Sequence, residues 1–453
     1  MPHHPPALPP RTRRRFLTLA GAAAASGLGL GTLAHLSAVA QSAPDYKALV
    51  CLFLFGGNDG NNLLVPLDGA SHAQYERIRP NLALARDALL PIAPSNTGGR
   101  PFGLHPALGG LQRLFTQGRA AMLANVGPLL VPTTKAALEA RRIAVPDNLY
   151  SHSDQQAQWQ SGAVDGAARS GWGGRLMERL LAGDARNRGY GLLSMAGGNL
   201  WENGDVSLQP YKVSPSGRFG FDFYEAGSTE PLSVAIAETL AEPRDHLLEQ
   251  AWNDVVGRSI ENQRVLTRAL EGGSLATDFP GTGLGRQLQM VARLISARAN
   301  LGLARQCFFC SIGGFDTHGD DQLQRQNELF AEIGSAVEAF HAATVELGVA
   351  NQVTLFSASD FGRTLASNGA GTDHGWGNHH FVVGGAVKGG QIVGRFPELV
   401  IDGPDDVGQG VWIPGIAVDQ LGATLGRWFG AGTALGEVFP RLGHFDADLG
   451  FMA

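Results

Sequence analysis

Five short apolar runs, at 48–55, 120–126, 306–312, 353–357 and 381–387, punctuate the chain. Between them lie longer stretches with helical periodicity, at 174–182, 232–271, 284–303 and 322–347. Near-continuous apolar strands alternating with helices predict a sheet buried on both faces. The expected fold is α/β: a doubly wound, mostly parallel sheet with helices on both faces, and a helical insertion at about 232–303 acting as a cap or side layer. In such sheets, sites form in the loops at the carboxyl ends of strands. Asp59 follows the run 48–55 after a glycine-rich loop, Asp316 follows 306–312 after a Gly-Gly turn, and Asp360 closely follows 353–357. All three acids are therefore expected on one edge of the sheet.

The N-terminus adds a compartment. Arg13, Arg14 and Arg15 precede Phe16-Leu17, and an Ala/Gly-rich apolar stretch runs to Ala38-Val39-Ala40, a small-x-small cleavage pattern. Residues 1–40 read as a twin-arginine signal peptide, which leaves 41–453 as one domain, handed to the export machinery and periplasmic or secreted. Removing that segment removes four arginines and no acid, and takes the formal charge from −6 to −10, which argues against nucleic acid as a partner. No later stretch approaches eighteen uninterrupted apolar residues, so the mature form is expected to have no stable membrane span. Cys51, Cys307 and Cys310 make an odd count for an exported protein. Cys307 and Cys310, three apart on a strand, point to opposite faces, so all three are expected as small buried hydrophobes rather than as a disulfide or a zinc pair.

Candidate chemistry concentrates in glycine-rich loops. Asp316 and His318 are two apart, Asp373-His374 repeats the offer, and Asp59, Asp360, His379 and His380 lie in neighbouring segments. A lone Asp or His in a loop is most often a turn former or a surface group, but their convergence on strand ends points to metal ligation. Mixed oxygen and nitrogen donors favour zinc, manganese or iron over calcium. The donors exceed what one tetrahedral ion uses, so one or two divalent ions are expected, a pair about 4 Å apart suiting phosphate or sulfate esters. Arg363 is a candidate for holding an ester oxyanion, or for a structural salt bridge to one of the acids. Ser151, His152 and Ser153 stand ahead of a helical stretch, where one hydroxyl serves as nucleophile or simply caps the helix.

Taken together, Gly56-Gly57-Asn58-Asp59-Gly60-Asn61-Asn62, Ser151-His152 with Trp159-Gln160-Ser161-Gly162, Gly314-Phe315-Asp316-Thr317-His318, and Asp360-Phe361-Gly362-Arg363-Thr364 with Asp373-His374 resemble the exported bacterial proteins of the domain of unknown function 1501 family. The resemblance spans about 46 to 445. That family is similar to the alkaline phosphatase and sulfatase superfamily, which implies an alkaline phosphatase-like sheet, two metal ions and a Ser or Thr nucleophile at a helix start. By order along the chain, the resemblance implies Asp59 as an early metal aspartate, Ser151 to Ser153 as the nucleophile region, Asp316 and His318 as the ligands of one ion, Asp360 as a ligand of the other, and His374 or His380 as the late histidine. Phe361 stands where the superfamily commonly has a histidine. The function expected is an exported metal-dependent hydrolase of a small anionic phosphate or sulfate ester. The alternative is a non-catalytic exported binding or assembly protein with an unknown periplasmic partner.

Overall fold

β1, Lys47–Phe55, is apolar at nearly every position, so both of its faces have to be covered. In the computed structural model, which describes residues 45–181, 189–206, 208, 210–217, 224–225 and 227–453, they are. The export-signal reading of residues 1–40 lies outside the described residues. Ala48, Val50, Leu52 and Leu54 enter one core and Leu49, Cys51 and Phe53 the other, the two-residue alternation of a strand.

After β1 the chain makes a small antiparallel sheet from β2 (Leu64–Pro66), β3 (Leu90–Ile92) and β4 (Phe102–Leu104), then returns as β5 (Ala120–Gly127). There follow β6 (Leu192–Ser194), β7 (Tyr211–Lys212), β8 (Arg305–Gly313), β9 (Val353–Ser359), β10 (Asn378–Gly384), β11 (Ile392–Val393) and β12 (Ile416–Ala417). The main sheet runs β11-β5-β10-β9-β1-β8-β6-β7, with β12 added beside β5. Within it, β1 lies between β8 and β9 and is parallel to both. Only β10 runs against its neighbours β5 and β9. The mostly parallel sheet expected from the apolar runs is thus present. β10 begins three residues earlier than its apolar run, because Asn378, His379 and His380 are drawn into the buried ladder.

Among the described residues the helices of eight residues or more are α1 (Gly69–Ile78), α2 (Gly109–Thr116), α3 (His152–Ser161), α4 (Trp172–Leu180), α5 (Pro231–Ala241), α6 (Leu247–Leu270), α7 (Gly283–Ser296), α8 (Gln322–Glu346) and α9 (Val418–Phe429). α2, α7 and α8 cover one face of the sheet; α3, α4 and α9 cover the other. The helical run expected as an insertion therefore divides in two. α5 and most of α6 are exposed, and α6 is anchored through Leu266 and Leu270, whereas α7 buries Leu288, Val291, Leu294 and Ile295 as part of the sheet's own cover. Among the described residues no helix is long and apolar enough to cross a membrane.

Cys51, Cys307 and Cys310 are free and buried, with Cys51 and Cys307 in one core and Cys310 in the other. Near them Glu202 is fully buried, with Oε2 accepting from Asn199 Nδ2 at 2.7 Å and Oε1 unpartnered. Burial pushes its carboxyl up to about 8. The folded protein thus keeps Glu202 protonated where the unfolded chain has already ionised, so stability is lost as pH rises from about 4.5 through 8. Glu202→Gln is expected to leave the melting temperature unchanged near pH 4.5 and to raise it relative to wild type by pH 8, the gain growing by at most about 1.4 kcal/mol per pH unit. Thermal melts across that range check it; a difference that does not vary with pH removes Glu202 as the cause.

Candidate metal centre

Because β1, β8 and β9 are adjacent and parallel, their carboxyl ends deliver three loops to one place: 56–59, 314–318 and 360–363. The antiparallel β10 adds a fourth, since the segment that feeds it must start at the same edge. Backbones here touch directly. Gly56 has φ +110°, and a Cβ on it would lie 2.4 Å from the Asp316 amide nitrogen, so only glycine fits.

Arg363 ties these loops together. Its guanidinium is fully buried, with Nε donating to the carbonyl of Gly57 at 2.9 Å, Nη1 to Thr372 at 3.2 Å, and Nη2 to Gly56 at 2.5 Å and Phe315 at 3.1 Å. Nη2 also donates to Asp316 Oδ1 at 2.6 Å. Of its two expected roles the geometry is that of the structural bridge: the donors are spent on protein acceptors, so the guanidinium is not free to hold an oxyanion. Burial pushes the Asp316 carboxyl up, but the hydrogen bond and charge of Arg363 outweigh it and hold the group at about 2. Asp316 is a carboxylate at any ordinary pH.

Three imidazoles surround it. His152, the first residue of α3, has Nδ1 2.6 Å from Asp360 Oδ2, which also accepts from Gly56 N and Gln156 Nε2. A carboxylate only accepts, so Nδ1 carries a proton, and in the neutral ring Nε2 is the nitrogen left with the lone pair. That lone pair faces Asp316 Oδ2 at 3.4 Å, and His152 Nε2 is buried without a hydrogen-bond partner. His374 is set in the same way: Nδ1 lies 2.8 Å from the carbonyl of Tyr150, which can only accept, so its Nε2 presents a lone pair 3.4 Å from Asp316 Oδ1. Tyr150 is held at φ +75°, an unusual conformation for a non-glycine residue, with its amide donating to Gln155 Oε1 at 2.6 Å. Burial lowers the His374 ring's affinity for a proton more than the Tyr150 bond raises it. His318 completes the group, with Nε2 2.9 Å from Asp316 Oδ1 and Nδ1 3.6 Å from Asp373 Oδ1. Phe361 is the floor, its ring stacked on His374 at 4.4 Å and tilted against His152 at 4.8 Å.

One nitrogen each from His152 and His374 and one oxygen of Asp316 lie within 4.8 Å of one another. That donor set fits a divalent transition ion. Each histidine has its second ring nitrogen fixed by an acceptor, as ligating histidines do, and the orphaned lone pair of His152 gains a partner. The structure thus brings together His152, Asp316, His318, Asp360, Arg363 and His374, with Asp373 beside His318.

The other candidates are placed elsewhere. Asp59 is wholly buried and already neutralised: Arg79 Nη1 and Nη2 reach its two oxygens at 3.1 and 2.5 Å, with Asn61 N and Gln322 Nε2 as further donors. It is no ligand here, since its negative charge and lone pairs are already taken. His379 and His380 point into the cores on either side of β10. His379 Nδ1 accepts from Asn125 N at 3.0 Å and its ring stacks on Phe396, while His380 Nδ1 lies 3.3 Å from Ser357 Oγ. Burial lowers both to about 3, so they are neutral core residues rather than ligands of the cluster. Ser151 is the N-cap residue of α3, but its hydroxyl donates to Asp154 Oδ2 at 2.5 Å and makes no capping bond; Ser153 Oγ lies 3.2 Å from Ser151 Oγ. Both hydroxyls are turned to Asp154 Oδ2. Arg79, Gln156, Gln322 and the Tyr150 carbonyl carry no motif that marks them, and they enter the site only through the fold.

The fold and the cluster define an α/β protein with a metal-type ligand group on the carboxyl edge of a doubly wound sheet. The chain belongs to the family described as a protein of unknown function (DUF1501), whose model matches residues 46–411. No curated protein matches it. Among solved structures it is similar to the sulfatase PsFucS1 from Pseudoalteromonas sp., with 10% identity, 93% of this chain and 72% of that one covered, and a TM-score of 0.35. It is also similar to the lipoteichoic acid synthase LtaP from Listeria monocytogenes, at 7% identity, 80% and 71% coverage, and a TM-score of 0.31.

Proposed function

We propose that this chain is an exported, metal-dependent hydrolase of a phosphate or sulfate ester. The observation that carries the reading is the convergence of the His152 and His374 Nε2 lone pairs on the oxygens of Asp316, each lone pair fixed by the partner of the other ring nitrogen. An ion bound there would act as a Lewis acid on an ester oxygen. The protein's own part is preorganisation. Arg363 keeps Asp316 ionised and aimed, Asp360 and Tyr150 hold two imidazoles in the tautomer that faces the site, and Phe361 limits their rotation.

Asp316→Ala is expected to lose bound metal and ester hydrolysis together, measured by elemental analysis and a panel of phosphate and sulfate monoesters and diesters. Unchanged metal content in the variant overturns the site. The second reading, a binding or assembly protein without turnover, is favoured by Ser151 donating to Asp154 and by the sealed guanidinium of Arg363. Inactivity of the metal-loaded protein across the whole panel selects it.

A further inference from the structure

We propose that the site takes a single ion, held by three imidazoles and one carboxylate, His152 Nε2, His318 Nε2, His374 Nε2 and Asp316, with the Arg363 guanidinium as the other cation on that carboxylate. The inference rests on the metal-centre reading above and adds to it a fourth ligand, a stoichiometry and a metal class.

The donor spacing supports the set. His318 Nε2 lies 3.0 Å from His374 Nε2 and 2.9 Å from Asp316 Oδ1, and His374 Nε2 and His152 Nε2 each lie 3.4 Å from an Asp316 oxygen. Ligands about 2.0–2.1 Å from a tetrahedral zinc are about 3.3 Å apart, so the three separations among His318 Nε2, His374 Nε2 and Asp316 Oδ1 are close to tetrahedral edges, and His152 Nε2 reaches the same carboxylate through Oδ2. The facing nitrogens of His318 and His374 add a second argument: His374 Nε2 and His318 Nε2 both lie at the Asp316 carboxylate, and His152 Nε2 beside them is buried without a hydrogen-bond partner, so a cation among them would engage all three imidazoles at once.

Among the described residues the other acids join no second cluster of three ligands. Asp59 is neutralised by Arg79, and Asp360 Oδ2 already accepts from Gly56 N, His152 Nδ1 and Gln156 Nε2, leaving its buried Oδ1 as a lone oxygen. Asp316 Oδ1 already has a cation at 2.6 Å, the Arg363 guanidinium. Asp373 is half exposed and accepts from Asn368 Nδ2 at 3.0 Å. Three imidazoles and one carboxylate select zinc and its imidazole-binding neighbours, copper, nickel, cobalt and iron, over manganese, magnesium and calcium.

The test is equilibrium dialysis of metal-stripped protein against zinc or cobalt(II), followed by elemental analysis, and proton NMR of the cobalt(II) form to count exchangeable, hyperfine-shifted imidazole N–H signals. Expected are one equivalent and three such signals in wild type. His318→Ala or His318→Gln, with folding checked by circular dichroism, should show two signals and at least tenfold weaker binding, and Asp373→Asn should keep one equivalent. Two equivalents in wild type, or unchanged affinity and three signals in both His318 variants, overturns the inference. No uptake overturns the hydrolase reading as well. One equivalent with the expected signals but no ester turnover leaves the inference standing and overturns only the hydrolase.

Discussion

Arg79→Ala is expected to destabilise the protein by about 3–5 kcal/mol, because it leaves the Asp59 carboxylate buried with its main counter-charge gone. The pair is enclosed on every side: both side chains are fully buried, and Arg79 comes from the end of α1 while Asp59 comes from the loop after β1. The amides that remain, Asn61 N and Gln322 Nε2, supply hydrogen bonds but no full positive charge. Urea titration monitored by circular dichroism measures the loss, and the double variant Asp59→Asn/Arg79→Ala should recover part of it by removing the stranded charge. A single-variant loss below about 1 kcal/mol would mean that Asp59 is solvated or protonated when alone. Metal content, by contrast, should follow folding and nothing else, since Asp59 lies outside the ligand group.

Arg363→Lys should cost a comparable amount, although it conserves charge. The guanidinium satisfies carbonyls from the 56–59 loop, the 314–318 loop and the segment before β10 at once, from nitrogens in one rigid plane. A lysine ammonium is a single point with three donors, and it cannot reach acceptors spread over that plane. At least two buried carbonyls are left unpaired, at about 1–3 kcal/mol each. The acid limb should move as well. In wild type the carboxyl of Asp316 is held at about 2 against an ordinary 3.8, so its contribution is present above about 3.8 and is lost as pH falls toward 2. With the guanidinium gone, acid unfolding begins at higher pH. Melts at pH 7 and pH 3 on wild type and variant test both claims, and equal stabilities at pH 7 would reduce Arg363 to an exposed-type salt bridge.

How much of this was legible in the sequence follows from the range of each interaction. The sheet was readable because β1, β5, β8 and β9 are buried on both faces and so are apolar at nearly every position. The shared edge was readable for the same reason: strand direction plus loop position put Asp316 and Asp360 together before any contact was known. Side-chain direction was not. His379 and His380 are as polar as His374, yet they lie inside β10, where the antiparallel ladder turns them into the cores. Nothing local distinguishes a histidine at a strand start from one in the loop before it. Asp59 was misplaced among the ligands for a different reason: its counter-charge, Arg79, comes from the far end of a helix and carries no motif. Arg363 was readable as important but not as sealed, since burial depends on three loops closing over it.

The position of β1 has a consequence for the order in which the molecule is made. β8, α8 and β9 are contiguous, but β8 and β9 do not pair with each other; the strand between them is the first one synthesised. Lys47 waits for Arg305 and Ala48 for Val353. At about 5–20 residues per second, roughly 15–60 s separate the emergence of β1 from that of its second partner. Until residue 313 is made this buried, apolar strand has neither neighbour, and until residue 359 it has at most β8. Only when β8 and β9 are both made can β1 pair along each of its edges, and that pairing is what sets the 56–59 loop against Asp316 and Arg363. Assembly is therefore a late event of the whole chain, and a ribosome-bound fragment ending before residue 359 has no such centre.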